Sequence, residues 1–468
     1  MTNKKESILL NYHKLFIILL ILVELVSLEY FKYENYFYML RFVLFNFVYI
    51  LFFLFNFKTA NYISILHKAF LLVLILPPFL HIVVEVFLEY IPLYAYPNDL
   101  LKSNIGKVIN YKSYILTIVF INIYIVIIKF KKYDFIITKL QKKNNNSLFY
   151  IFTLMSLLFA YLSHFNNQNA FASGSYASGE ANVLGVNAWN TMSVIVLLYG
   201  FNYKNSMNKI HTYLFYFTSF YVLAYSSLMF GKRADVIGLF LVFLSFYSVK
   251  VISLKKIIII LLLSSFVFIL MSFTANVRGV GISDVVYTAS FINEVAEYAG
   301  GFRIPSVTDF YGTMPYLISY LDYNNGIIWH GYSYYIAMTT LLPSVINPFR
   351  IDDSATTYLQ ANYYMFNGGM YFLAELLFNF GEKALFFIAL LMSLFFSYVS
   401  KIFYYQDSFF KFAIILILID GFPRWLLYGT STMSKHVFIM FVLFYLGKGV
   451  YHFLMKKKKR KNIENIDY

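Results

Sequence analysis

Long, continuous runs of apolar residues alternate with short polar segments along most of this chain of 468 residues. A helix needs about 20 mostly apolar residues to cross a bilayer, and continuous runs favour helices over the alternating pattern of a membrane β-barrel. The pattern therefore predicts an all-α, polytopic integral membrane protein with about twelve transmembrane helices. The predicted spans cover residues 15–30, 36–56, 66–88, 113–130, 147–163, 187–202, 212–229, 236–250, 257–274, 384–402, 412–428 and 436–454.

A further apolar stretch runs from Gly369 to Phe380 and is too short for an ordinary span. If it crossed the membrane, the basic C-terminal tail KKKKRKN would have to be translocated, which is costly. We therefore expect a half-helix or re-entrant segment, covered by protein or by a water-filled cavity. Both termini are then cytoplasmic.

This threading divides the chain into four parts. Residues 1–275 form an N-terminal bundle of nine transmembrane helices, and residues 276–383 form a large external loop that includes the half-helix. Residues 384–455 add three transmembrane helices, and residues 456–468 form a basic cytoplasmic tail. The cytoplasmic loops are short, and the chain contains no Walker motif or Gly-rich nucleotide loop, which argues against an ATP-driven pump.

Composition narrows the class of protein further. The chain is 60% hydrophobic and only 13% charged, as expected of a polytopic membrane protein rather than a soluble one. Its net charge of +15 comes mainly from short loops between apolar runs, so the positive-inside rule explains it and nucleic acid is not an expected partner. The absence of cysteine excludes disulfides, thiolate metal sites and a cysteine nucleophile.

Arginine departs from the positive-inside pattern. In this threading most lysines are cytoplasmic, whereas six of the seven arginines lie on the external side. Because a guanidinium group suits bidentate recognition of phosphate and carboxylate, outward arginine predicts an anionic ligand at the outer membrane face. The six are Arg41, Arg233, Arg278, Arg303, Arg350 and Arg424.

Three segments combine polar residues with apolar surroundings. The segment MFGKRADVIGLF places Arg233 at a tight external turn, and LLPSVINPFRIDD contains Arg350 after two prolines. The segment GGMYFLAELLFNFGEKALF places Glu375 inside the half-helix, with Asn379 and Gly381 at its end. An ionisable side chain at membrane depth is by default a functional hypothesis. The alternative is a structural pairing of Glu375 with an arginine or lysine.

Two helical spacings have simpler explanations. His81, Glu85 and Glu89 share one face of the third predicted span. A metal or proton-relay site would fit this stripe, but such a stripe more often faces a wet bundle interior. Asp420 and Arg424 are also i, i+4 neighbours, and mutual neutralisation accounts for them.

The overall pattern resembles the oligosaccharide repeat-unit polymerases, the O-antigen or capsule polymerase family of bacterial inner membranes. About a dozen spans, one dominant external loop in the C-terminal half and a basic tail are shared features. Locally, GKRADVIGLFLVFL is similar to the family's Gly, Lys or Ser, then Arg pattern, and LPSVINPFR is similar to its Pro-rich segment. FLAELLFNFG resembles its acidic residue followed by Asn-Phe-Gly.

The resemblance implies a helical membrane glycosyltransferase with a GT-C-like fold, working at the outer face of the cytoplasmic membrane. It would transfer a growing glycan from undecaprenyl pyrophosphate to the non-reducing end of a newly flipped, lipid-linked repeat unit. The implied partners are this lipid-linked oligosaccharide, membrane lipid and a separate chain-length regulator. No cofactor or metal is expected, because only Asp352 and Asp353 offer a weak external acidic cluster, so arginines would replace a divalent cation.

Such a reaction needs cations for the departing pyrophosphate. The resemblance assigns this role to Arg233 and Arg350, which match the family's motifs. Arg278 and Arg303 join them because they are external guanidinium groups close in sequence to predicted membrane exits.

The reaction also needs a general base for the acceptor hydroxyl. We rank Glu375 first, His330 second, and Glu297 or Asp309 third. Among these, histidine has an unperturbed pKa near 6.5, which suits proton transfer at neutral pH.

Three other functions stay open. An O-antigen ligase would use the same donor with a lipid A core acceptor, although the Asn-Phe-Gly pattern favours a polymerase. A lipid-linked oligosaccharide flippase would also have about twelve spans, but flippases have short loops, whereas here about 93 residues from Asn276 to Gly368 are predicted to be external. A general solute transporter is the least favoured.

Overall fold

The computed structural model describes residues 2–55, 63–88, 104–128, 149–158, 208–224, 238, 307–323, 328–341, 347, 370–404 and 409–464. These parts of the chain are helical and include no β-strand. A short 3-10 helix, Tyr33–Asn35, joins the first two long helices. The helices are α1 (Thr2–Glu29), α2 (Tyr36–Phe55), α3 (Ile65–Leu88), α4 (Asn104–Ile127), α5 (Phe149–Leu158), α6 (Lys209–Ala224), α7 (Val307–Tyr323), α8 (Tyr332–Thr339), α9 (Phe372–Phe380), α10 (Glu382–Tyr404), α11 (Phe409–Tyr428) and α12 (Thr430–Glu464).

Within these ranges, six helices are long and apolar enough to cross a membrane. Large apolar side chains on several of them are exposed, including Leu22 at 55%, Phe45 at 57% and Phe395 at 58%, as expected of a surface in contact with lipid. These features fit a multi-pass membrane protein. The candidate spans are Ile8–Glu29, Tyr36–Phe55, Ile65–Phe87, Asn104–Ile127, Glu382–Ile402 and Thr430–Leu454.

Most of the predicted spans that the structure covers coincide with helices. Two predicted spans, 187–202 and 257–274, lie outside the described residues, and residue 238 alone represents the span 236–250. The total of twelve spans therefore stays a prediction.

Side-chain contacts show that α1 and α4 run in opposite directions. Ser27, near the end of α1, forms a hydrogen bond of 2.7 Å with Tyr111 near the start of α4. At the other end of the pair, Lys14 donates to the carbonyl oxygen of Ile128 over 3.1 Å. We call these two ends of the bundle the Lys112 end and the Lys14 end, after a basic residue at each.

Helix α3 is also antiparallel to α4, whereas α10 is parallel to it. His67 at the start of α3 contacts the Tyr124 hydroxyl at 2.6 Å, near the end of α4. The hydroxyl of Ser393 in α10 donates to the Tyr124 carbonyl over 2.9 Å, and the first residue of α10, Glu382, pairs with Lys112. Both α4 and α10 therefore begin at the Lys112 end.

The short helix α9 covers about half the depth of this bundle. The hydroxyl of Tyr371, just before α9, donates to the carbonyl oxygen of Leu74 in the middle of α3 over 2.7 Å. The ring of Phe372 packs on Phe120 of α4 at 6.4 Å, while α9 ends beside Glu382 at the Lys112 end. Its nine residues extend about 13 Å, too short to cross a bilayer alone. Its position relative to a membrane stays a prediction.

Part of the predicted external loop belongs to the helix bundle. Helix α7 packs against α3 and α4, and every residue from Tyr311 to Tyr320 is buried. The Tyr311 ring stacks on Tyr114 with centroids 5.3 Å apart. At the end of α7, Asp322 forms an ion pair of 2.7 Å with Lys112. This segment thus fixes one wall of the space that α9 occupies.

Candidate functional site

Glu375 lies on α9 and joins three helices through its carboxylate. Its Oε1 accepts a hydrogen bond of 3.1 Å from the hydroxyl of Ser333 in α8. Its Oε2 accepts two hydrogen bonds of 2.9 Å from Thr430, one from the backbone N–H and one from the hydroxyl. The side chain is only 3% exposed. The partners among the described residues are therefore neutral groups, and no arginine or lysine is one of them.

The carboxylate of Glu375 also caps the N-terminus of α12. Thr430 is the first residue of that helix, and the preceding Gly429 has a φ of +88° and no side chain that could cap it. A Cβ atom on Gly429 would lie at an ordinary contact distance of 3.4 Å from Glu375 Oε2, so it is the backbone conformation that favours glycine here. An anionic group at this position is stabilised by the partial positive charge at the N-terminus of the helix.

The environment changes the acidity of the buried groups. Burial raises the pKa of Glu375, because a carboxylate loses hydration there, while the hydrogen bonds from Thr430 and Ser333 partly oppose this change. Burial raises the pKa of Tyr334 well above its usual value, and the nearby Glu375 charge raises it further. A base with a raised pKa is better matched to proton transfer near neutral pH.

Asn379 lies one turn after Glu375 and binds the same serine. Its Nδ2 donates to the Ser333 hydroxyl and to the Glu375 carbonyl oxygen, each over 2.7 Å. Its Oδ1 accepts a hydrogen bond of 3.2 Å from the backbone N–H of Ser333. An asparagine is needed here because the side chain must donate and accept at once.

Gly381 separates α9 from α10. It has a φ of +73°, and its N–H donates to the Leu377 carbonyl over 2.8 Å, which ends α9. The preceding Phe380 stacks on Tyr334 of α8 with ring centroids 5.8 Å apart. The acidic residue and the Asn-Phe-Gly pattern thus form one structural unit, which we call the α9 junction and define as Glu375, Ser333, Asn379, Gly381 and Thr430.

His330 lies in the turn before α8, beside the end of α9. It is exposed and has a φ of +48°, an unusual conformation for a residue other than glycine. Its neighbour Trp329 donates from its backbone N–H to the Phe378 carbonyl over 3.0 Å. His330 is therefore accessible from outside the bundle, whereas Glu375 is enclosed.

Asp309 and the outward arginine Arg41 also lie on described helices. Asp309 belongs to α7, but only its backbone is described. Arg41 is exposed on α2 and lies 5.5 Å from the centre of the Tyr38 ring. The predicted site residues outside the described part of the chain are Arg233, Arg278, Arg303, Arg350 and Glu297.

Asp420 contacts two elements at the helical hairpin formed by α11 and α12. Its Oδ2 lies 2.8 Å from His436 Nε2, and the predicted pairing with Arg424 stays a prediction. A Cβ atom on Gly238 would lie 2.5 Å from Asp420 Oδ1 and 3.0 Å from its carbonyl oxygen. Gly238 therefore packs closely against this hairpin, and Thr430 on the same hairpin binds Glu375.

The two described residues of the predicted stripe on α3, His81 and Glu85, are buried in the core. Glu85 accepts a hydrogen bond of 2.8 Å from the Tyr36 hydroxyl, and the amide of Asn110 lies 3.5 Å away. His81 binds the hydroxyl of Tyr114, and both His81 and Glu85 are almost fully buried. Glu89 lies outside the described residues, within which no group of three or more His, Cys, Asp or Glu residues could hold a metal ion.

Ser333 and Thr430 were not predicted to belong to the site. Isolated hydroxyl residues are common in membrane helices, so their type gives no signal. The sequence GTSTMSK before the last apolar run does contain the small and hydroxyl residues typical of a helix N-terminus. That signal predicts a cap but not that Glu375 supplies it.

Comparison of the chain with protein-family models, with curated proteins and with solved structures gave no match. A function for this chain is therefore inferred from the residues of the α9 junction and from the motif resemblance of the sequence.

Proposed function

We propose that this chain is a polymerase of undecaprenyl-pyrophosphate-linked oligosaccharide repeat units, a membrane glycosyltransferase that builds O-antigen or capsular polysaccharide. In this proposal it has about twelve spans and a GT-C-like fold in the bacterial cytoplasmic membrane. Both termini are cytoplasmic, and the active site faces outward. The reducing-end sugar of the growing glycan is transferred from its lipid pyrophosphate to a hydroxyl at the non-reducing end of the next repeat unit.

One observation carries the proposal beyond the motif resemblance. Gly238 belongs to the segment GKRADVIG and packs against Asp420, while Glu375 of FLAELLFNFG binds Thr430. Asp420 lies in the middle of α11 and Thr430 begins α12, so both belong to the hairpin that turns at Gly429. Two motif segments that are far apart in the sequence therefore contact one hairpin, which is expected if both serve one site.

The proposed glycosyl transfer needs the arginine side chains and the general base for separate roles. Arg233 and Arg350, supported by Arg278 and Arg303, would bind the pyrophosphate and stabilise its negative charge as the bond to the anomeric carbon breaks. The acceptor oxygen forms the new glycosidic bond and loses its proton to the base.

Glu375 is the first candidate for the base. Its raised pKa suits this role, and a substrate hydroxyl would have to replace the Ser333 hydroxyl at Oε1. His330 is the second candidate, because it is exposed in a turn that contacts the end of α9.

The phenotype of a deletion strain tests the function. Loss of a polymerase leaves single repeat units on the outer acceptor. Loss of a ligase leaves a bare acceptor and accumulates lipid-linked polymer, and loss of a flippase leaves repeat units facing the cytoplasm. Either of the last two phenotypes would contradict the proposal.

Complementation of that strain tests the arginine roles. Arg233→Ala and Arg350→Ala should eliminate the long-chain ladder on a gel and leave single repeats. Arg41→Ala is the matched control, because Arg41 is exposed beside Tyr38 and has no role in the proposal. Unchanged ladders for both test variants would show that these arginines do not bind the pyrophosphate.

A further inference from the structure

Three polar side chains meet in the interior of the bundle, on different helices from the α9 junction. They are Glu24 of α1, Asn46 of α2 and Asn122 of α4, and each is 0% exposed within a candidate span. Asn46 Nδ2 donates to Glu24 Oε1 over 2.8 Å. Asn122 Nδ2 lies 3.2 Å from both carboxylate oxygens. A buried carboxylate is thus held by two neutral amides.

Two oxygen atoms of this cluster have no hydrogen-bond partner. Among the described residues, Asn46 Oδ1 and Asn122 Oδ1 are buried and accept no hydrogen bond. Such atoms are few in native proteins because burying a carbonyl oxygen without a partner is unfavourable. The described contacts of Glu24 likewise include no lysine or arginine. A hydrogen-bonded structural cluster would explain the amide donors but not the two spare oxygens.

We propose that Glu24, Asn46 and Asn122 bind one Na⁺ ion inside the bundle. A half-turn of each amide about its Cβ–Cγ bond exchanges Oδ1 with Nδ2. The Asn46 and Asn122 oxygens would then lie where the nitrogens now lie, 2.8 to 3.2 Å from the carboxylate oxygens. Oxygen ligands about 2.4 Å from a hard cation are about 3.4 Å apart at a right angle, so small side-chain movements complete the site.

Charge and ligand count select a monovalent metal ion. One carboxylate neutralises one positive charge, whereas a divalent ion would leave a net charge within a candidate span, which is costly. A proton on Glu24 would provide a single O–H donor and satisfy one of the two amide oxygens. A sodium ion contacts several oxygen ligands at once and satisfies both. Carboxylate and carbonyl oxygens are also the ligands that hard cations prefer.

The proposal does not depend on the function proposed above, and direct binding tests it. Full-length protein purified in detergent is dialysed against ²²Na⁺, with choline chloride maintaining the ionic strength. We expect saturable binding of one Na⁺ per chain. Glu24→Gln should abolish this binding, and Asn46→Leu or Asn122→Leu should each weaken it at least tenfold.

Glu85→Gln is the matched control. Glu85 is also buried in a candidate span and also accepts hydrogen bonds from neutral groups, but its described neighbours are Tyr36, Asn110 and His81. Its replacement should leave sodium binding unchanged. Each variant is first checked for a single peak in size-exclusion chromatography.

Three results would overturn the proposal. The first is the absence of saturable binding by the wild-type protein, and the second is unchanged binding by Glu24→Gln. If Glu24→Gln does not fold, unchanged binding by both asparagine variants has the same meaning. The third is a proton site, shown by wild-type thermal stability that depends on pH but not on Na⁺, with the pH dependence lost in a folded Glu24→Gln variant.

Discussion

The hydrogen bonds of Glu375 predict a large difference between two substitutions at this position. Glu375→Ala removes the acceptor of three hydrogen bonds, whereas Glu375→Gln keeps the shape of the side chain and one carbonyl oxygen. In the glutamine variant, that oxygen can still accept from the Thr430 N–H, and the new amide N–H group can donate to Ser333. The two variants therefore separate the loss of the interactions from the loss of the charge.

The magnitude follows from the donors that each variant leaves unpaired. The backbone N–H of Thr430 cannot turn to another acceptor, and a buried unpaired donor costs about 1–3 kcal/mol. The lost attraction between the carboxylate and the dipole of α12 adds about 0.5 kcal/mol. Removal of a poorly hydrated carboxylate offsets part of this loss, so we expect Glu375→Ala to lower the free energy of unfolding by about 1–3 kcal/mol. Glu375→Gln should cost less than about 1.5 kcal/mol, the net value of one neutral hydrogen bond.

Thermal unfolding in detergent at several pH values measures both effects. Because burial raises the folded-state pKa of Glu375, the unfolded chain releases this proton at a lower pH than the folded chain. The stability of the wild-type protein should therefore fall as the pH rises from about 4.5 to the folded-state pKa. Glu375→Gln should remove this contribution, so the difference in stability between the two proteins should change with pH over that interval.

The same variants measure the catalytic role in the complemented deletion strain. A folded Glu375→Gln protein that gives no ladder would support Glu375 as the base, and a normal ladder would transfer that role to His330 or another residue. The structural reasoning itself would be refuted if Glu375→Ala were as stable as the wild-type protein. Equal destabilisation by alanine and glutamine would refute the division between acceptor loss and charge loss.

Two glycines and one lysine give further predictions. Gly381→Ala should destabilise the folded protein by about 1–2 kcal/mol in a denaturation assay, because its φ of +73° is unfavourable for a residue with a Cβ atom; no loss would exclude this strain. Gly238→Val should reduce the yield of folded protein, because even a Cβ atom at this position would lie 2.5 Å from Asp420. Gly449→Ala is the control and should not reduce the yield, because a Cβ atom there would have no other atom within 4 Å. Equal yields for the two variants would exclude close packing of Gly238 against Asp420. Lys112→Met should lower the free energy of unfolding by about 1 kcal/mol or less, because the ion pairs of Lys112 are partly exposed. The effect should be smaller at high salt, which screens these ion pairs. A large loss of stability that is independent of salt would contradict this expectation.

Most of the long helices that the structure describes were predictable from the sequence, but the starts of α4 and α12 were not. The apolar run of α4 predicts a start at residue 113, whereas the helix begins at Asn104. The additional turns include Asn110 and Lys112, whose polar groups contact Glu85, Asp322 and Glu382 from other helices. A hydropathy profile assigns such polar residues to loops, because it takes no account of the residues that they contact on other helices.

The early start of α12 also depends on a contact with a residue that is distant in the sequence. The apolar run predicts residue 436, and the helix begins at Thr430, where the carboxylate of Glu375 binds its first N–H. The composition of the α9 junction was partly predictable, since Glu375, Asn379 and Gly381 were recognised by their motif. Ser333 and Thr430 could not be, because their role depends on packing between helices that are distant in the sequence.

Three buried glutamates share a property that the sequence does not predict. Glu24, Glu85 and Glu375 all accept hydrogen bonds from amides or hydroxyls, and Glu375 also accepts one from a backbone N–H. The pairing of acids with lysine that the structure describes occurs at the partly exposed Lys112 end.

Desolvation explains this division. Removing two charges from water is expensive, so a pair of ions is easiest to keep where both are still hydrated. A carboxylate in the interior is instead stabilised by neutral donors, or it holds a proton or a cation. The spacing of charges along a helix therefore predicts partners poorly in the interior, and the donor and acceptor atoms around each acid must be counted. By that count the Glu375 carboxylate accepts three hydrogen bonds, and the Glu24 cluster has two spare oxygens that require a ligand.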